Sequence, residues 1–236
     1  MSFPMPIEFL YRDADVVAVN KPEGVAAVPE HALDPDCLSE RVSAELGIKV
    51  MPVHRLDKAV SGVILYACHA ASHRFLNTVF EERRARKTYL ALVHGTVREE
   101  SGVIDQPIRE YGSGRMGVSP DGKPSTTAFR VRERFGAFTL VEVEPRTGRR
   151  HQIRVHFYHL GHPIVGDLRY GNLTVQQRFS RLMLHASGIE VPLPSEKPLV
   201  LRDSPSATFE AELARLRGNA ERRPNISLHE TSDYDY

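Results

Sequence analysis

Apolar positions along the chain divide it into short strands and a few helices. Alternating or briefly uninterrupted apolar residues are typical of strands, whereas apolar residues three and four apart indicate a helix. We predict strands at 7–11, 16–20, 63–67, 88–93, 126–134, 138–144 and 182–191. We predict helices at 38–46, from about 69 to 86, at 147–160 and at 207–216. In the helix at 147–160 the predicted apolar face consists of Ile153, Phe157 and Leu160.

The order of these elements predicts the fold class. Strands and helices are interleaved, but several connections are too short for the crossover that joins two parallel strands. We therefore predict an α+β protein with a mixed, largely antiparallel central sheet. We predict that residues 1–217 form a single domain and that the polar, acidic segment 218–236 is a disordered C-terminal tail.

The composition excludes several classes of protein. With 41% apolar and 26% charged residues, a chain of 236 residues can bury a sizeable core and is neither collagen-like nor fully disordered. No apolar run approaches the roughly 18 residues that a transmembrane helix needs. Cys37 and Cys68 are too few for a disulfide framework and fit a reducing compartment. We therefore expect a cytoplasmic protein without a membrane partner.

The distribution of charge gives one indication of a partner. The formal net charge is only +1, yet 25 of the 31 basic residues are arginine, whose guanidinium group binds phosphate in a bidentate manner. Between Arg109 and Arg154, ten basic residues stand against five acidic ones. Both features favour a nucleic acid, although a GC-rich genome would also enrich arginine and a solvated charged face would also carry such an excess.

Four histidines are the one candidate metal site in the sequence. They occupy positions 151, 156, 159 and 162, on different sides of the predicted helix, and no cysteine pair or His-Glu-x-x-His motif accompanies them. Phosphate-loop and nucleophile-elbow motifs are absent from the sequence. We therefore predict no metal and no cofactor, and we interpret the histidines as structural or as facing a nucleic acid.

Three short polar segments carry the strongest functional signal. The first is Val53-His54-Arg55-Leu56-Asp57, where an arginine and an aspartate two residues apart could by themselves form an ordinary structural ion pair. The second is Arg86-Lys87-Thr88-Tyr89, and the third is the segment 147–156, which reads Thr-Gly-Arg-Arg-His-Gln-Ile-Arg-Val-His. In this order and at these separations, the three segments resemble the signature of the RluA family of pseudouridine synthases.

The resemblance extends over most of the chain, from about residue 9 to residue 209. Further matching segments lie at 17–24, 115–118, 122–124, 161–167 and 182–186. The sequence departs from the family pattern at Ala59-Val60 and at Pro192-Leu193-Pro194, positions that bear on the choice of substrate. The resemblance implies the pseudouridine synthase fold, in which helices and loops flank an active-site cleft.

It also implies an isomerase that converts specific uridines of structured RNA, in 23S rRNA or a tRNA stem-loop, to pseudouridine. Asp57 would be the nucleophile, acting on the ribose or on the base. Tyr89 would stack on the uracil and move a proton. Arg154 should pair with Asp57 and keep it ionised, and it lies about 100° around the helix from Ile153, so that it can point into a cleft.

The predicted substrate contacts come from the same segments. Arg55 would enter the RNA helix where the target base has left, because a planar cation can fill that gap. Leu184 either forms the floor of the pocket or is an ordinary core residue. His54, Arg149 and His151 complete the set of predicted substrate-binding residues. We expect a monomer that binds RNA and not DNA.

Two other classes of function stay open from the sequence. A non-catalytic RNA-binding protein could keep the same fold, but the intact set of Asp57, Tyr89 and Arg154 argues against it. A hydrolase could use Asp57 as its nucleophile, but it would need a group that activates water, and none is identifiable in the sequence.

Overall fold

The computed structural model describes residues 6–29, 36–112, 114–194 and 197–221. These residues form twelve strands and five helices. The strands are β1 (Glu8–Arg12), β2 (Val16–Lys21), β3 (Met51–Pro52), β4 (Ser61–Ala67), β5 (Arg86–His94), β6 (Ser101–Asp105), β7 (Ile108–Glu110), β8 (Met116–Val118), β9 (Thr126–Arg134), β10 (Phe138–Pro145), β11 (Leu184–Val191) and β12 (Leu199–Arg202). The helices are α1 (Leu38–Leu46), α2 (Ala70–Glu81), α3 (Gln152–His159), α4 (Leu173–Gln176) and α5 (Ala207–Glu221).

Ten of the described strands form one sheet. Its order is β1-β2-β4-β11-β5-β10-β9-β6, with β12 beside β11 and β3 beside β4. Within this sheet β4 and β11 run parallel, and the other described pairs are antiparallel. Strands β7 and β8 form a separate antiparallel hairpin. The predicted α+β fold with a mixed, largely antiparallel sheet is confirmed.

Burial on both faces of the sheet explains why β4 appears in the sequence as an unbroken apolar run. All seven of its residues are buried. Ile64 and Tyr66 join the core cluster that includes residues of α1 and α3, while Val63 and Leu65 join the cluster that includes residues of α2. A strand covered on both faces has no need of polar alternation.

Two predicted helices are shorter in the structure. Helix α2 ends at Glu81, because Arg83 adopts the left-handed conformation with φ of 59° and closes the helix as a glycine ordinarily does. Helix α3 begins at Gln152 and not at residue 147, and Leu160 beyond its end is 43% exposed. The predicted apolar face of this helix was therefore wrong at Leu160 and right at Ile153 and Phe157, which are buried.

The C-terminal helix is longer than predicted. Helix α5 runs to Glu221, past the boundary predicted at residue 217. Residues 218–221 of the predicted disordered tail belong to α5, and the rest of that tail, from residue 222 onward, lies outside the described residues. No helix of the described segments has both the length and the apolar character needed to cross a membrane.

Candidate active site

One cleft of about 470 Å³ contains all eight predicted catalytic and substrate-binding residues. Its walls come from the segment between β3 and β4, from β5, from the loop that leads into α3, and from the start of β11. The predicted site residues that line it are His54, Arg55, Asp57, Tyr89, Arg149, His151, Arg154 and Leu184. The chain thus brings together residues up to 130 positions apart in the sequence, as the numbering from 54 to 184 shows.

A buried lysine, Lys21, stabilises the segment that carries Asp57. Lys21 is 0% exposed, and its Nζ donates to the carbonyl oxygens of Pro22, Val25 and Lys58 at 2.9, 2.7 and 3.0 Å. Gly24 N donates to the same Lys58 oxygen at 2.9 Å. Burial lowers the pKa of Lys21 to about 7, and the Asp57 carboxylate opposes this shift. The lysine therefore ties the turn after β2 to the residue that follows Asp57.

Arg154 bridges two carboxylates. Its Nη1 donates to Asp57 Oδ2 at 3.0 Å, which confirms the predicted pair. Its Nε and Nη2 donate to the two oxygens of Asp167, both at 2.8 Å, and Asp167 also accepts from the backbone N–H groups of Arg169 and Tyr170. Burial alone would lower the pKa of Arg154, but the Asp167 hydrogen bonds and the two carboxylate charges raise it. The guanidinium group is thus charged and held in one orientation.

His151 completes the surroundings of Asp57. It adopts the left-handed conformation with φ of 56° immediately before α3, and its Nε2 lies 3.7 Å from Asp57 Oδ2. Tyr170 Oη accepts from Met116 N at 3.2 Å and lies 2.8 Å from His151 Nδ1, so its single proton can be donated to that ring nitrogen. Burial lowers the pKa of His151 to about 4, against the effect of Asp57. The ring is neutral near pH 7.

Tyr89 and Leu184 come from neighbouring strands, β5 and β11. Tyr89 is 9% exposed and belongs to the main core cluster, as Leu184 does. Burial, reinforced by the charge of Asp57, raises the pKa of Tyr89, so the side chain is a neutral phenol. Leu184 is both a core residue and part of the cleft wall, so its two predicted positions are compatible.

The remaining predicted contacts differ in character. His54 Nε2 accepts a hydrogen bond from Leu65 N at 3.0 Å, and the ring stacks on Phe80 with centroids 5.0 Å apart. Burial lowers the pKa of His54 to about 3, so the ring is a neutral part of the wall. Arg149 Nε donates to Pro124 O at 3.3 Å. Arg55 is exposed and makes no hydrogen bond or ion pair with the described residues.

Comparison with known proteins identifies the family. Residues 15–159 match the family model described as RNA pseudouridylate synthase. The chain belongs to this family. The synthase is 36% identical over 216 residues to ribosomal large subunit pseudouridine synthase C of Vibrio cholerae, a match that covers 88% of this chain and 69% of that protein. It is 34% identical over 222 residues to the uncharacterized RNA pseudouridine synthase YhcT of Bacillus subtilis, covering 89% of this chain and 71% of that protein.

A solved structure agrees with this assignment. Human RNA Pseudouridylate Synthase Domain Containing 1 superposes with a TM-score of 0.77 and 28% identity, covering 96% of this chain and 100% of that chain. The resemblance to the RluA family and the pseudouridine synthase fold are therefore confirmed. The synthase is an RNA-binding isomerase of the family that converts uridine to pseudouridine.

Sequence reasoning missed the partner that orients Arg154. Asp167 lies in a segment of the family resemblance, but no spacing rule connects it to Arg154. Asp167 follows a turn at Gly166, whose φ is 75°. A Cβ added to Gly166 would lie 1.8 Å from the Arg181 carbonyl oxygen. A glycine flanked by a carboxylate, Gly166-Asp167, was the available signal, and it is weak without the fold.

Two of the four clustered histidines of the synthase, His156 and His162, lie outside the cleft and have protein partners. His156 Nδ1 lies 2.8 Å from Thr127 Oγ1, and its Nε2 lies 3.0 Å from Gln106 O. His162 Nδ1 lies 2.8 Å from His94 O. In the part of the chain that the structure describes, no three His, Cys, Asp or Glu side chains come together as a metal site. These contacts support the structural interpretation of His156 and His162.

Proposed function

We propose that this synthase isomerises uridines of structured large-subunit ribosomal RNA, with Asp57 as the nucleophile. The observation that carries the proposal is the asymmetry of the Asp57 carboxylate. Oδ2 accepts from Arg154 and faces His151, while Oδ1 accepts no hydrogen bond from the described residues. One oxygen anchors the group, and the other is available to react. Asp57 is 25% exposed in a cleft that can admit a nucleoside.

The reaction needs no oxidant and consumes no water. The bond between uracil N1 and ribose C1′ breaks, a bond between C5 and C1′ forms, C5 loses its proton and N1 takes one up. Asp57 Oδ1 forms a transient bond either to C1′ or to uracil C6, and that bond breaks again when the isomer is released. Tyr89 supplies a ring surface for the uracil. Its raised pKa opposes loss of the proton, so the side chain acts as a neutral phenol.

The charges of the cleft support an RNA ligand. Six cationic side chains line it, against the two carboxylates of Asp57 and Glu81. They are Arg55, Arg83, Lys87, Arg146, Arg149 and Arg154. Among the described residues, Arg154 is the one of these six that forms an ion pair. Unneutralised cations around a pocket that admits a base are the arrangement expected for phosphates of a bound nucleic acid.

The choice of ribosomal RNA follows from the relatives. The Vibrio cholerae protein is named for the large ribosomal subunit, and the match covers most of both chains. A tRNA stem-loop is the second predicted substrate.

We also propose that the synthase acts as a monomer, because all eight predicted site residues come from one chain. We propose that it acts on RNA and not DNA, in the cytoplasm, where ribosomal RNA is modified. We further propose a single catalytic domain that ends with α5.

Tritium release from uracil C5 tests the function directly. We expect the wild-type protein to release tritium from C5-labelled large-subunit RNA, and to leave pseudouridine and no abasic site. Binding without release would identify a non-catalytic RNA-binding protein. Abasic sites together with free uracil that still carries its tritium would identify a hydrolase. Labelled tRNA run in parallel decides between the two RNA classes.

Arg55 provides a test of base extrusion. We expect Arg55→Ala to lower the single-turnover rate on a folded stem-loop by roughly 10- to 100-fold, and to affect a substrate whose uridine is already unpaired much less. Extruding a stacked base costs a few kcal/mol, and an inserted planar cation offsets part of it, with about 1.4 kcal/mol for each tenfold in rate. Because Arg55 is exposed and has no partner among the described residues, its removal should leave the fold intact.

The matched control is Arg55→Lys, which keeps the charge but cannot stack as a guanidinium plane does. It should restore little of the rate on the folded stem-loop. Equal losses on both substrates, or full rescue by lysine, would mean that Arg55 contacts phosphate and does not replace the base.

A further inference from the structure

Lys87 is a cation of the cleft to which the reaction described above gives no role. It lies on β5 two residues before Tyr89, so the two side chains leave the same face of the strand. Its charge adds to the lowering of the pKa of His54, which places it near that ring. On the other side, its Nζ lies 3.7 Å from the position that a Cβ would take on Gly148. Lys87 therefore lies between two walls of the cleft.

The ammonium group of Lys87 has no partner among the residues that the structure describes. It makes no hydrogen bond or ion pair with any residue of the described segments. Its strand neighbour Arg86, on the opposite face, lies 3.2 Å from Glu144 and 4.0 Å from Glu190. Burial lowers the pKa of Lys87, so the folded chain holds this charge at a cost.

Lys21, the other buried lysine, differs from Lys87 because its ammonium group has hydrogen-bond acceptors in the protein. Lys21 donates to three carbonyl oxygens, one for each of its N–H bonds. Lys87 has the same three donors, and no described residue supplies an acceptor for them. The ammonium group of Lys87 is therefore partly buried, has unused donors and lies in the cleft of the proposed active site. We expect such a group to bind an anionic group of the substrate.

We propose that Lys87 binds the backbone phosphate adjacent to the target uridine when that nucleotide occupies the cleft. The proposal rests on the proposed function of the site. A phosphate fits better than a uracil carbonyl, because a full negative charge compensates the desolvated ammonium group and a neutral oxygen does not. Lys87 and Tyr89 are about 6.6 Å apart along the strand, at 3.3 Å per residue. A base that lies against Tyr89 thus places its own phosphate within reach of Lys87.

Gly148 keeps the approach to Lys87 open. Its backbone lies outside the left-handed region, so other residues can adopt the same conformation. A Cβ at this position would make an ordinary contact with Nζ, and a larger side chain would cover the ammonium group. Gly148→Leu should therefore reproduce the loss of Lys87 while the lysine is still present.

The experiment is a double-mutant cycle that combines a substitution in the protein with the replacement of one RNA phosphate by an uncharged linkage. Wild type and Lys87→Met are each assayed on a stem-loop that carries a single methylphosphonate on the 5′ or the 3′ side of the target uridine. We expect one of the two methylphosphonates to weaken wild-type binding about tenfold, and to have no further effect on Lys87→Met, which is already weakened to the same extent on unmodified RNA. The slope of log Kd against log salt should also fall by about 0.7 to 0.9 in this variant.

The control variant is Arg86→Met, which removes the neighbouring cation on the other face of β5. It should keep the full sensitivity to the methylphosphonate. If the losses from Lys87→Met and from each methylphosphonate multiply, Lys87 does not contact either phosphate and the proposal is wrong. If Lys87→Met fails to fold, Gly148→Leu is carried through the same cycle, with the same two outcomes. Tritium release by the wild type reports on the proposed function separately, since the cycle measures binding and not turnover.

Discussion

We expect Asp57→Asn to lower single-turnover tritium release by about 10³-fold or more while RNA affinity and stability change little. The amide has the shape of the carboxylate but no anionic oxygen with which to form the transient bond. Arg154 Nη1 can still donate to the amide oxygen, and Asp167 still neutralises the guanidinium group. The loss should therefore fall on the chemical step alone.

The controls for Asp57→Asn are the dissociation constant for RNA and the thermal unfolding curve. A rate above a few per cent of wild type would remove Asp57 from the nucleophilic role. Asp57→Ala is the weaker variant, because it also leaves Arg154 Nη1 without the acceptor that it has at 3.0 Å.

The largest effect on stability is expected at Asp167. Asp167→Asn should lower the free energy of unfolding by about 3 to 5 kcal/mol, the range observed when one partner of a buried ion pair is removed. The Asp167 side chain is 0% exposed and receives two N–H bonds of Arg154, and an amide group would turn a donor toward one of them. Denaturant unfolding at neutral pH measures the change.

Asp167→Asn should also slow the reaction, although Asp167 has no direct contact with Asp57 among its hydrogen bonds. Arg154 is the link, because the orientation of its Nη1 toward Asp57 depends on the two bonds to Asp167. As a positioning residue, Asp167 should affect the rate of the chemical step more than RNA binding. Equal changes in rate and affinity would contradict this role.

A surface ion pair supplies the matched control. Arg150 Nη1 lies 3.0 Å from Glu110 Oε1, and both side chains are 53% exposed. Glu110→Gln removes a carboxylate from an arginine at a similar distance, yet it should change stability by less than about 1 kcal/mol, since solvent screens an exposed pair. If Asp167→Asn were no more destabilising than Glu110→Gln, the buried bridge would not be the element that holds Arg154.

Much of the fold could be predicted because its signals are local. Alternation placed β9 and β10 to within a residue of their observed ends, and the apolar run 63–67 lies within β4. Tyr89, Ala91 and Val93 occupy every second position of the strand predicted at 88–93, and all three belong to the main core cluster. The pleat of a strand alone determines such a pattern.

The errors have a common physical cause. Helix α3 starts later than predicted because Gln152 uses its side chain to accept from Thr147 Oγ1 and Arg149 N, which holds residues 147–151 as a loop. Leu160 is exposed because the chain turns away at Gly161, where φ is 79°. In both cases the outcome depends on hydrogen bonds and turns that a periodic pattern does not contain.

The sequence by itself determined the class of chemistry, because three segments in a definite order, which carry Asp57, Tyr89 and Arg154, resemble the signature of one family. It also determined the strand that holds Tyr89 and the helix that holds Arg154. The tertiary structure decided which groups meet across that order. Only the fold brings Asp167 next to Arg154 and Lys21 next to the segment of Asp57. It also places Lys87 between His54 and Gly148 with no partner among the described residues. Apolar periodicity is a property of neighbouring residues, whereas the partner of a buried charge is set by whatever the packed chain places within about 3 Å of it.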